Sequence, residues 1–428
     1  MVRLRAVRAY HPDPERGNAS ELVSPVYDTL SDEDHRRYGS RRFNAASFTS
    51  RPRGVPLSDF LRDAPRRLKE ALNAGVYRQD PDPSLYIYGI RFRPEEEIQL
   101  ELPASDRREE YLLLGLVGGL EISSDDPRDI ALHEKVFPDR VEERIRLTDA
   151  TGTSFAPILA GYTLPSHEVN DLLEEFLGIN RRALEFTPQV PPLVEATLGR
   201  SVHMLWRLDD EPRALRVQRL LAERRILILD GHHRYTAALA RRREGKASLP
   251  LTMLVEGHDR ALILLPWHRW VSPQVLSWET FRARAPEVLG APRVVPGPPS
   301  ETEILQRLRG LRETGQRGFV AVGPDATWVI TGPPDRDEGA DYQLLHGLLE
   351  GTLGVESREM EFVPSVREAL RRRSRPEGEG GVAFLLPPLA TERVERTAFE
   401  THRVMAQKST MFLPKVAEGV IFAPAAGA

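Results

Sequence analysis

The stretch that decides the fold reads ILILDGHHRYTAALARR and covers residues 226–242. Its first residues form a short, wholly apolar run, which predicts a buried strand. After Gly231, the apolar residues Tyr235 and Leu239 recur at helical spacing, which predicts a helix. A strand that meets a helix through a glycine turn brings free backbone N–H groups and the positive end of the helix dipole to one point. The stretch therefore indicates an α/β fold and favours an anion at the turn.

The residues of this turn have the chemistry of a phosphate site. Gly231 lets the backbone approach a ligand closely, and Arg234 offers a planar, permanently charged fork for phosphate oxygens. His232 and His233 carry N–H groups that can donate to the same anion. We therefore predict that Asp230 through Arg234 bind phosphate. In the alternative interpretation, Asp230 or its neighbours only cap the helix and the two histidines face solvent.

A histidine metal site fits this turn less well than an anion does. Adjacent histidines on a helix point about 100° apart, because a helix has about 3.6 residues per turn. The sequence contains no HxxxH or HExxH pair that would place two ligands on one helical face. Magnesium held by carboxylates and a nucleotide would leave almost no pattern in the sequence. The identity of any metal therefore stays open.

The composition excludes several other classes of chemistry. The 428 residues suffice for roughly two or three domains. There is no cysteine, which excludes disulfides, thiolate metal sites and cysteine nucleophiles. The net charge of −4 gives no global reason to expect nucleic acid as a partner. No stretch resembles a signal peptide or a membrane span, so we expect a cytoplasmic protein without a membrane partner. The sequence does not indicate an oligomeric state.

The order of predicted elements divides the chain into three parts. Residues 1–270 form the main domain with the DGHHR turn, and residues 271–340 form a small additional α/β subdomain that begins near a proline-rich stretch. Residues 341–428 end in a segment dense in Lys, Ser, Thr and aromatic residues. We expect this C-terminal part to return to the core.

A second group of polar residues lies in LHEKVFPDRVEERIRL, residues 132–147. His133 and Glu134 follow a predicted strand, where a carboxylate beside a histidine is suited to act as a general base or a magnesium ligand. We predict that both are catalytic. The alternative is that the charges here only form the solvated face of a helix.

Polar residues in three further motifs, together with Arg144 from the motif above, are candidates for binding a substrate or phosphate. Turn structure, aromatic packing or an exposed terminal strand would explain them equally well. These candidates are Asp28, Arg144, His268, Arg269, Lys408, Ser409, Thr410 and Lys415.

The sequence as a whole resembles the prokaryotic proteins called domain of unknown function family 1015. The resemblance rests on motifs in the family's order: SPVYDTLS, NAASF, HEKVFPDRVEERIRL, FAPILAGY, LDGHHRYTAAL, LLPWHR and MAQKSTMFLPKVAEGVIF. The family commonly has proline after the methionine of the last motif, where this chain has Ala406. This departure puts the geometry of that turn in question.

The glycine–histidine–arginine turn also looks like the phosphate-binding motif of the ParB/sulfiredoxin superfamily. This more distant resemblance covers some tens of residues and implies a ParB/sulfiredoxin-like nucleotide-binding core. It also implies that Gly231 through Arg234 contact nucleotide phosphates. Sulfiredoxin chemistry needs a cysteine, which this chain lacks, and we find no helix-turn-helix of the ParB type. The remaining branch is that of the free-serine kinases.

The function implied by this resemblance is that of an ATP- or ADP-dependent kinase with Mg²⁺. Its acceptor would be a small hydroxyl-bearing metabolite such as free serine. Glu134 would be the carboxylate near the acceptor hydroxyl, and Arg234, Arg144, Lys408 and Lys415 would supply positive charge. Two alternatives stay open: a nucleotide phosphohydrolase, and a non-catalytic regulatory module gated by nucleotide.

Overall fold

A nine-stranded mixed sheet forms the centre of the computed structural model. The described residues are 3–122, 126, 128–164, 166–289, 292–296, 300–332, 340–374, 380–401 and 404–426. The sheet has the order Val194–Leu198, Ser201–Leu208, Leu85–Phe92, Tyr111–Glu121, Leu251–Glu256, Ile158–Tyr162, Ile226–Asp230 and Ile130–Leu132, with Arg3–Arg5 paired to Tyr111–Glu121. Together with the helices, this mixed sheet confirms the predicted α/β class.

Both faces of the nine-stranded sheet are buried. Alternate side chains of Leu85–Phe92 enter opposite cores, so that Tyr86 and Tyr88 pack on one face and Ile87 on the other. Because neither face is exposed to water, the central strands are nearly continuous apolar runs. The strand Tyr111–Glu121, predicted from its apolar composition, is buried at every position except the last.

Different parts of the chain cover the two faces. Helices Glu168–Leu177, Glu211–Leu221 and His232–Arg243 contribute apolar side chains to the core that contains Ile87. The opposite core receives Met405, Phe412 and Ile421 from the end of the chain. The C-terminal part therefore contributes to the core of the main sheet.

A second, six-stranded sheet follows the first along the chain. Its order is Arg293–Pro296, Ala326–Thr331, Gly318–Val322, Val382–Leu385, His268–Val271 and Glu361–Val363. We predicted a subdomain over 271–340, but strands from beyond residue 340 also belong to this sheet. The predicted end of the subdomain at residue 340 directly follows residues 333–339, which lie outside the described residues.

Four short strand pairs complete the sheets: Tyr10–Pro12 with Tyr77–Gln79, Ser24–Pro25 with Ala417–Glu418, Thr153–Ser154 with Ala423–Pro424, and Ile263–Pro266 with Thr410–Leu413. Three of these pairs involve residues after 409. Their pairing holds the last strands of the chain against segments that are far away in sequence.

The remaining helices connect and cover the sheets. The α-helices are Ala19–Leu22, Asp32–Gly39, Ala46–Thr49, Leu57–Asn73, Glu96–Glu101, Pro138–Thr151, Trp278–Arg284, Pro286–Leu289, Glu301–Glu313, Ala340–His346, Val366–Arg373 and Thr391–Arg396. Ala104–Asp106 and Ser357–Glu359 are 3₁₀ turns, and Gly347–Thr352 and Thr397–Thr401 are π-helical. Among the described residues, no helix is long and apolar enough to span a lipid bilayer.

Candidate functional site

The predicted strand–turn–helix is present, and Gly231 forms its turn. The strand Ile226–Asp230 ends directly before Gly231, and the helix His232–Arg243 begins directly after it. Gly231 has a φ of +87°, and a Cβ atom there would lie 2.8 Å from Nη2 of Arg234. The turn therefore requires glycine for its backbone conformation and for the close approach of this guanidinium group.

Asp230 is an ion-paired residue and not a helix cap. Gly231 lies at the N-terminus of this helix, and no side chain caps it. Oδ1 of Asp230 pairs with Nζ of Lys415, and Oδ2 lies 3.2 Å from Nη2 of Arg234. Burial opposes ionisation of Asp230, but Lys415 and Arg234 outweigh it and hold the pKa of this carboxyl well below its ordinary value. The interpretation of Asp230 as a simple cap is therefore wrong.

Arg234 supports the turn from within the protein. Its Nη1 donates to the carbonyl oxygens of Ala156 and Pro157, both at 2.7 Å. With the contact to Asp230, these bonds occupy much of the guanidinium group. We expected Arg234 to clamp phosphate, but its hydrogen bonds go to the protein, so its direct contribution is to hold the turn in place.

His232 is the first residue of a chain of close polar contacts that ends at Glu134. Nε2 of His232 lies 3.3 Å from Nδ1 of His133, and Nε2 of His133 lies 2.8 Å from Oγ1 of Thr410. Thr410 donates its backbone N–H (2.5 Å) and its hydroxyl group to Oε1 of Glu134. Two sequence motifs and the C-terminal segment, residues 404–418, therefore meet at one point.

The groups of this chain have altered acidities. Burial lowers the pKa of His133 to about 4 and that of His232 well below its ordinary value. Both rings are therefore neutral at neutral pH. Burial raises the pKa of Glu134, although the hydrogen bonds from Thr410 partly counteract this effect. A carboxylate with a raised pKa is a stronger base than an ordinary one.

His233 faces the start of the helix Pro138–Thr151. Its Nε2 accepts the backbone N–H of Phe137 at 3.1 Å, and the two rings stack with centroids 6.0 Å apart. Because Nε2 accepts, the hydrogen of the neutral ring is on Nδ1. Burial lowers the pKa of His233 to about 4. This histidine is therefore neutral and half-buried.

Asp28 and Lys408 form a partly exposed rim of the site near His233. Nζ of Lys408 is 3.8 Å from Oδ2 of Asp28, and the side chains are 32% and 30% exposed. The same Nζ lies 5.6 Å from the ring centroid of Trp267. Asp28 and Lys408 also affect the pKa of His233 electrostatically. Lys415, whose side chain is 25% exposed, is comparable. These side chains therefore have the partial exposure that a ligand contact requires.

Two predicted residues lie in the second sheet instead of at the turn. His268 and Arg269 are fully buried. Nδ1 of His268 accepts from the backbone N–H of Leu386 at 3.1 Å. Arg269 donates to the carbonyl oxygen of Trp267 at 2.7 Å, and its Nη2 is 3.3 Å from Nε2 of His346. These contacts are with the protein interior, and Arg269 also interacts electrostatically with Glu134. A substrate contact by either residue stays a prediction.

Ser409 and Arg144 also have structural contacts. The hydroxyl group of Ser409 is buried and donates to the carbonyl oxygen of Ala406 at 2.8 Å. Arg144 donates to the carbonyl oxygen of Thr49 and to Glu143, and its guanidinium lies 3.9 Å from the ring centroid of Tyr27. Neither side chain is directed by these bonds to the rim formed by Asp28 and Lys408.

The structure adds two residues that we did not predict. Arg140 is exposed in the first turn of Pro138–Thr151 and affects the pKa of His233. Glu418 is buried, accepts from the backbone N–H of Ala156 at 3.2 Å, and interacts electrostatically with Arg234 and Arg144. Both lie inside motifs quoted above. Their charge within those motifs is the sequence feature that could have identified them.

Comparison with known proteins gives distant structural likenesses. A free serine kinase in complex with AMP is 14% identical, with 67% of this chain and 85% of that chain covered and a TM-score of 0.39. A conserved hypothetical protein from Pyrococcus furiosus is 14% identical, with 68% of this chain and 92% of that chain covered and a TM-score of 0.35. C-terminally truncated SbnI from Staphylococcus aureus is 14% identical, with 67% of this chain and 80% of that chain covered and a TM-score of 0.34. Likenesses at this level do not define a shared function.

Comparison by sequence is decisive for the family. No curated protein matches the sequence. Residues 4–337 match the profile described as "Protein of unknown function (DUF1015)", which is well over half of the chain. This match shows that the chain belongs to the DUF1015 family.

Proposed function

We propose that the protein binds ATP or ADP by its phosphate groups at the Gly231 turn. It then transfers a phosphoryl group to a small hydroxyl-bearing metabolite such as free serine. One observation carries this proposal: the C-terminal segment contacts both the turn and the buried carboxylate. Lys415 pairs with Asp230, and Thr410 bonds to Glu134. One segment of the chain thereby connects the proposed phosphate site with the proposed general base.

The groups around the turn suit a polyphosphate. The start of the helix His232–Arg243 offers backbone N–H groups and the positive end of a helix dipole. Lys415 and Lys408 of the C-terminal segment and Arg140 of the helix Pro138–Thr151 add positive charge from two separate segments of the chain. His232 and His233 are neutral, so their rings interact with phosphate oxygens as hydrogen-bonding groups and not as cations.

Glu134 suits the role of general base. The residue is only 9% exposed, and burial raises the pKa of its carboxyl group. In the proposed step, ionised Glu134 takes the proton of the acceptor hydroxyl, whose oxygen forms a bond to the terminal phosphorus. The bond between this phosphorus and the bridging oxygen of the nucleotide breaks, and its electron pair stays with the shortened nucleotide. Glu134 then returns the proton to solvent.

Thr410 and His133 position the base. Thr410 fixes Oε1 of Glu134 through two donors. His133, held against His232, contacts the hydroxyl group of Thr410. Phosphoryl transfer depends mainly on positioning and on charge neutralisation. The contacts of Thr410 and His133 therefore hold the carboxylate of Glu134 in one position, as phosphoryl transfer requires of a base.

Magnesium fits this site as a companion of the nucleotide. Within the described ranges, no group of three or more His, Cys, Asp or Glu side chains is arranged to hold a metal ion. Mg²⁺ commonly binds through one or two carboxylates together with substrate phosphates and water. Asp230, beside the turn, would hold it in place of one of its present partners, Lys415 or Arg234. Bound there, Mg²⁺ would neutralise charge on the phosphates.

The test is to incubate the purified protein with Mg²⁺ and ATP or ADP across a panel of amino acids and sugars. Mass spectrometry should find a phosphorylated acceptor that depends on the nucleotide, and Glu134→Gln should not form it. Steady nucleotide turnover without an acceptor would instead indicate a phosphohydrolase. Tight nucleotide binding without any turnover would indicate a regulatory module. Absence of nucleotide binding would overturn the proposal.

A further inference from the structure

A cleft next to the Gly231 turn is lined by residues that mostly have no role in the proposed function. It lies between the helices Pro138–Thr151 and His232–Arg243 and has about 560 Å³ of empty space, part of it open to solvent. From the second helix it is lined at positions 234, 237, 238 and 241. This spacing defines one helical face about 10 Å long, at 1.5 Å per residue. The cleft therefore extends from the turn along the helix.

Apolar and basic side chains share the walls of this cleft. Leu147, Phe155 and Ala237 are among the apolar residues. Arg144, Arg234 and Arg241 also line it, and we call it the arginine cleft for this reason. An apolar wall lowers the local dielectric constant and so strengthens the attraction between a guanidinium group and an anion.

The three arginines have donors to spare. Arg144 and Arg241 are only 6% and 8% exposed. The Nε atoms of Arg144, Arg234 and Arg241 are buried, and the described part of the structure offers them no hydrogen-bond acceptor. A buried donor without an acceptor is energetically unfavourable. At this cleft, three such donors lie around one space that a bound acceptor could enter.

The nearby carboxylates do not neutralise these arginines individually. Each arginine contacts a carboxylate that a second basic side chain also contacts. Glu143 pairs with Arg144 and Arg51, Asp149 with Arg241 and Lys246, and Asp230 with Arg234 and Lys415. The one carboxyl group in the lining is that of Glu418, set against three arginines. The lining therefore carries an excess of positive charge.

We propose that the arginine cleft binds a small oxyanion, a phosphate or a carboxylate group, at a site separate from the Gly231 turn. Guanidinium groups match the geometry of both anions. The hydroxyl groups of Thr148 and Ser154 in the lining add further polar atoms. This inference goes beyond the proposed function and does not rest on it, because it uses the charge and the unpaired donors of the cleft.

Isothermal titration calorimetry with the full chain tests this site. Inorganic phosphate and succinate serve as separate probes, and they distinguish the two oxyanion classes. We expect at least one of them to bind with a stoichiometry of one. Arg241→Gln, which removes a cation, and Ala237→Leu, which fills the cleft, should each weaken that binding at least 10-fold. Ala240→Leu, on the same helix but outside the lining, is the matched control and should leave it unchanged.

A second titration separates the cleft from the turn. With ADP at saturating concentration, the anion should still bind, whereas complete competition would show a single site and overturn the proposal. Failure of both probes to bind at millimolar concentration would also overturn it, as would unchanged affinity in Ala237→Leu. If Arg241→Gln does not fold, Thr148→Leu on the facing helix replaces it. If ADP does not bind at all, the proposed function fails while the anion titration still decides this inference.

Discussion

Thr410 donates both its backbone N–H and its hydroxyl group to Oε1 of Glu134, across 276 residues of sequence. The environment of the proposed base is thus set by the end of the chain. Since hydrogen bonds to an ionised carboxylate favour ionisation, Thr410 counteracts the effect of burial on the pKa of Glu134. The C-terminal segment therefore controls the pH range in which Glu134 can accept a proton.

Thr410→Val should raise the pKa of Glu134 further, because the variant lacks the hydroxyl donor but keeps the backbone donor. Glu134 is active as a base only when ionised, so the acidic limb of the pH–rate profile should move to higher pH. Thr410→Ser keeps the hydroxyl group and should retain the wild-type profile. Nucleotide turnover measured from pH 5 to 9 checks this expectation. Identical profiles for all three proteins would contradict it.

Glu134→Gln should remove the base while keeping an oxygen that accepts from Thr410. A general base contributes about 10²–10⁴-fold to rate, so turnover should fall by about that factor. ADP affinity, measured by calorimetry, should change less than about threefold, since the Gly231 turn is intact. Glu121→Gln, at a surface ion pair with Arg5, is the control and should retain activity. Full activity in Glu134→Gln would exclude this residue as the base.

Local sequence patterns were sufficient to predict the strand, the turn and the helix around Gly231. The same holds for the buried strand Tyr111–Glu121, because its apolar run reflects burial on both faces. These elements depend on residues that are neighbours in the chain. Their identification required no knowledge of the tertiary structure.

The partners of the site residues were not predictable in the same way. Pairing of Thr410 with Glu134 and of Lys415 with Asp230 depends on strand pairing between Thr410–Leu413 and Ile263–Pro266. The side chain of Arg234 turns toward the carbonyl oxygens of Ala156 and Pro157, which belong to another segment. Tertiary packing determines which partners these residues contact. The spacing of residues within one motif carries no information about such long-range contacts.

Arg234→Ala should destabilise the protein, because the carbonyl oxygens of Ala156 and Pro157 lose their donor. Leaving these two buried acceptors unpaired should cost about 2–4 kcal/mol of the free energy of unfolding. The variant should also weaken ADP binding, since the turn loses its support. Urea unfolding and calorimetry measure the two effects. Arg62→Ala, which breaks an exposed pair with Asp59, should cost less than about 1 kcal/mol.

Affinity and stability must change together in Arg234→Ala if this arginine acts by supporting the turn. A variant of normal stability that binds ADP weakly would instead indicate direct contact with phosphate. Unchanged ADP affinity in a destabilised variant would show that the nucleotide does not use this turn.

Asp230→Asn should weaken the protein at neutral pH and reduce its sensitivity to acid. The pKa of Asp230 is held well below its ordinary value by Lys415 and Arg234 against the effect of burial. Its stabilising contribution is therefore complete above the unfolded value of about 3.9 and is lost as pH falls from there toward the lower folded pKa. The variant should lose about 2–4 kcal/mol at pH 7. Urea unfolding between pH 2.5 and 7 should show that the difference from wild type shrinks below pH 4.

The control for this acid dependence is Asp59→Asn, at an exposed ion pair with Arg62. Its unfolding free energy should stay within about 1 kcal/mol of wild type at every pH. A constant difference between wild type and Asp230→Asn down to pH 2.5 would contradict a depressed pKa for Asp230.

His133 should remain neutral well below the pH at which an ordinary histidine takes up a proton. Burial lowers its pKa to about 4, whereas the unfolded chain has a value of about 6.5. Between these values the unfolded state binds a proton that the folded state does not, so His133 reduces stability as pH falls from 6.5 toward 4. The loss from this difference reaches about 3 kcal/mol at 1.36 kcal/mol per pH unit. Imidazole ¹⁵N chemical shifts at pH 5 should show a neutral ring, and the shifts of a protonated ring at that pH would contradict the closed packing of His133 between His232 and Thr410.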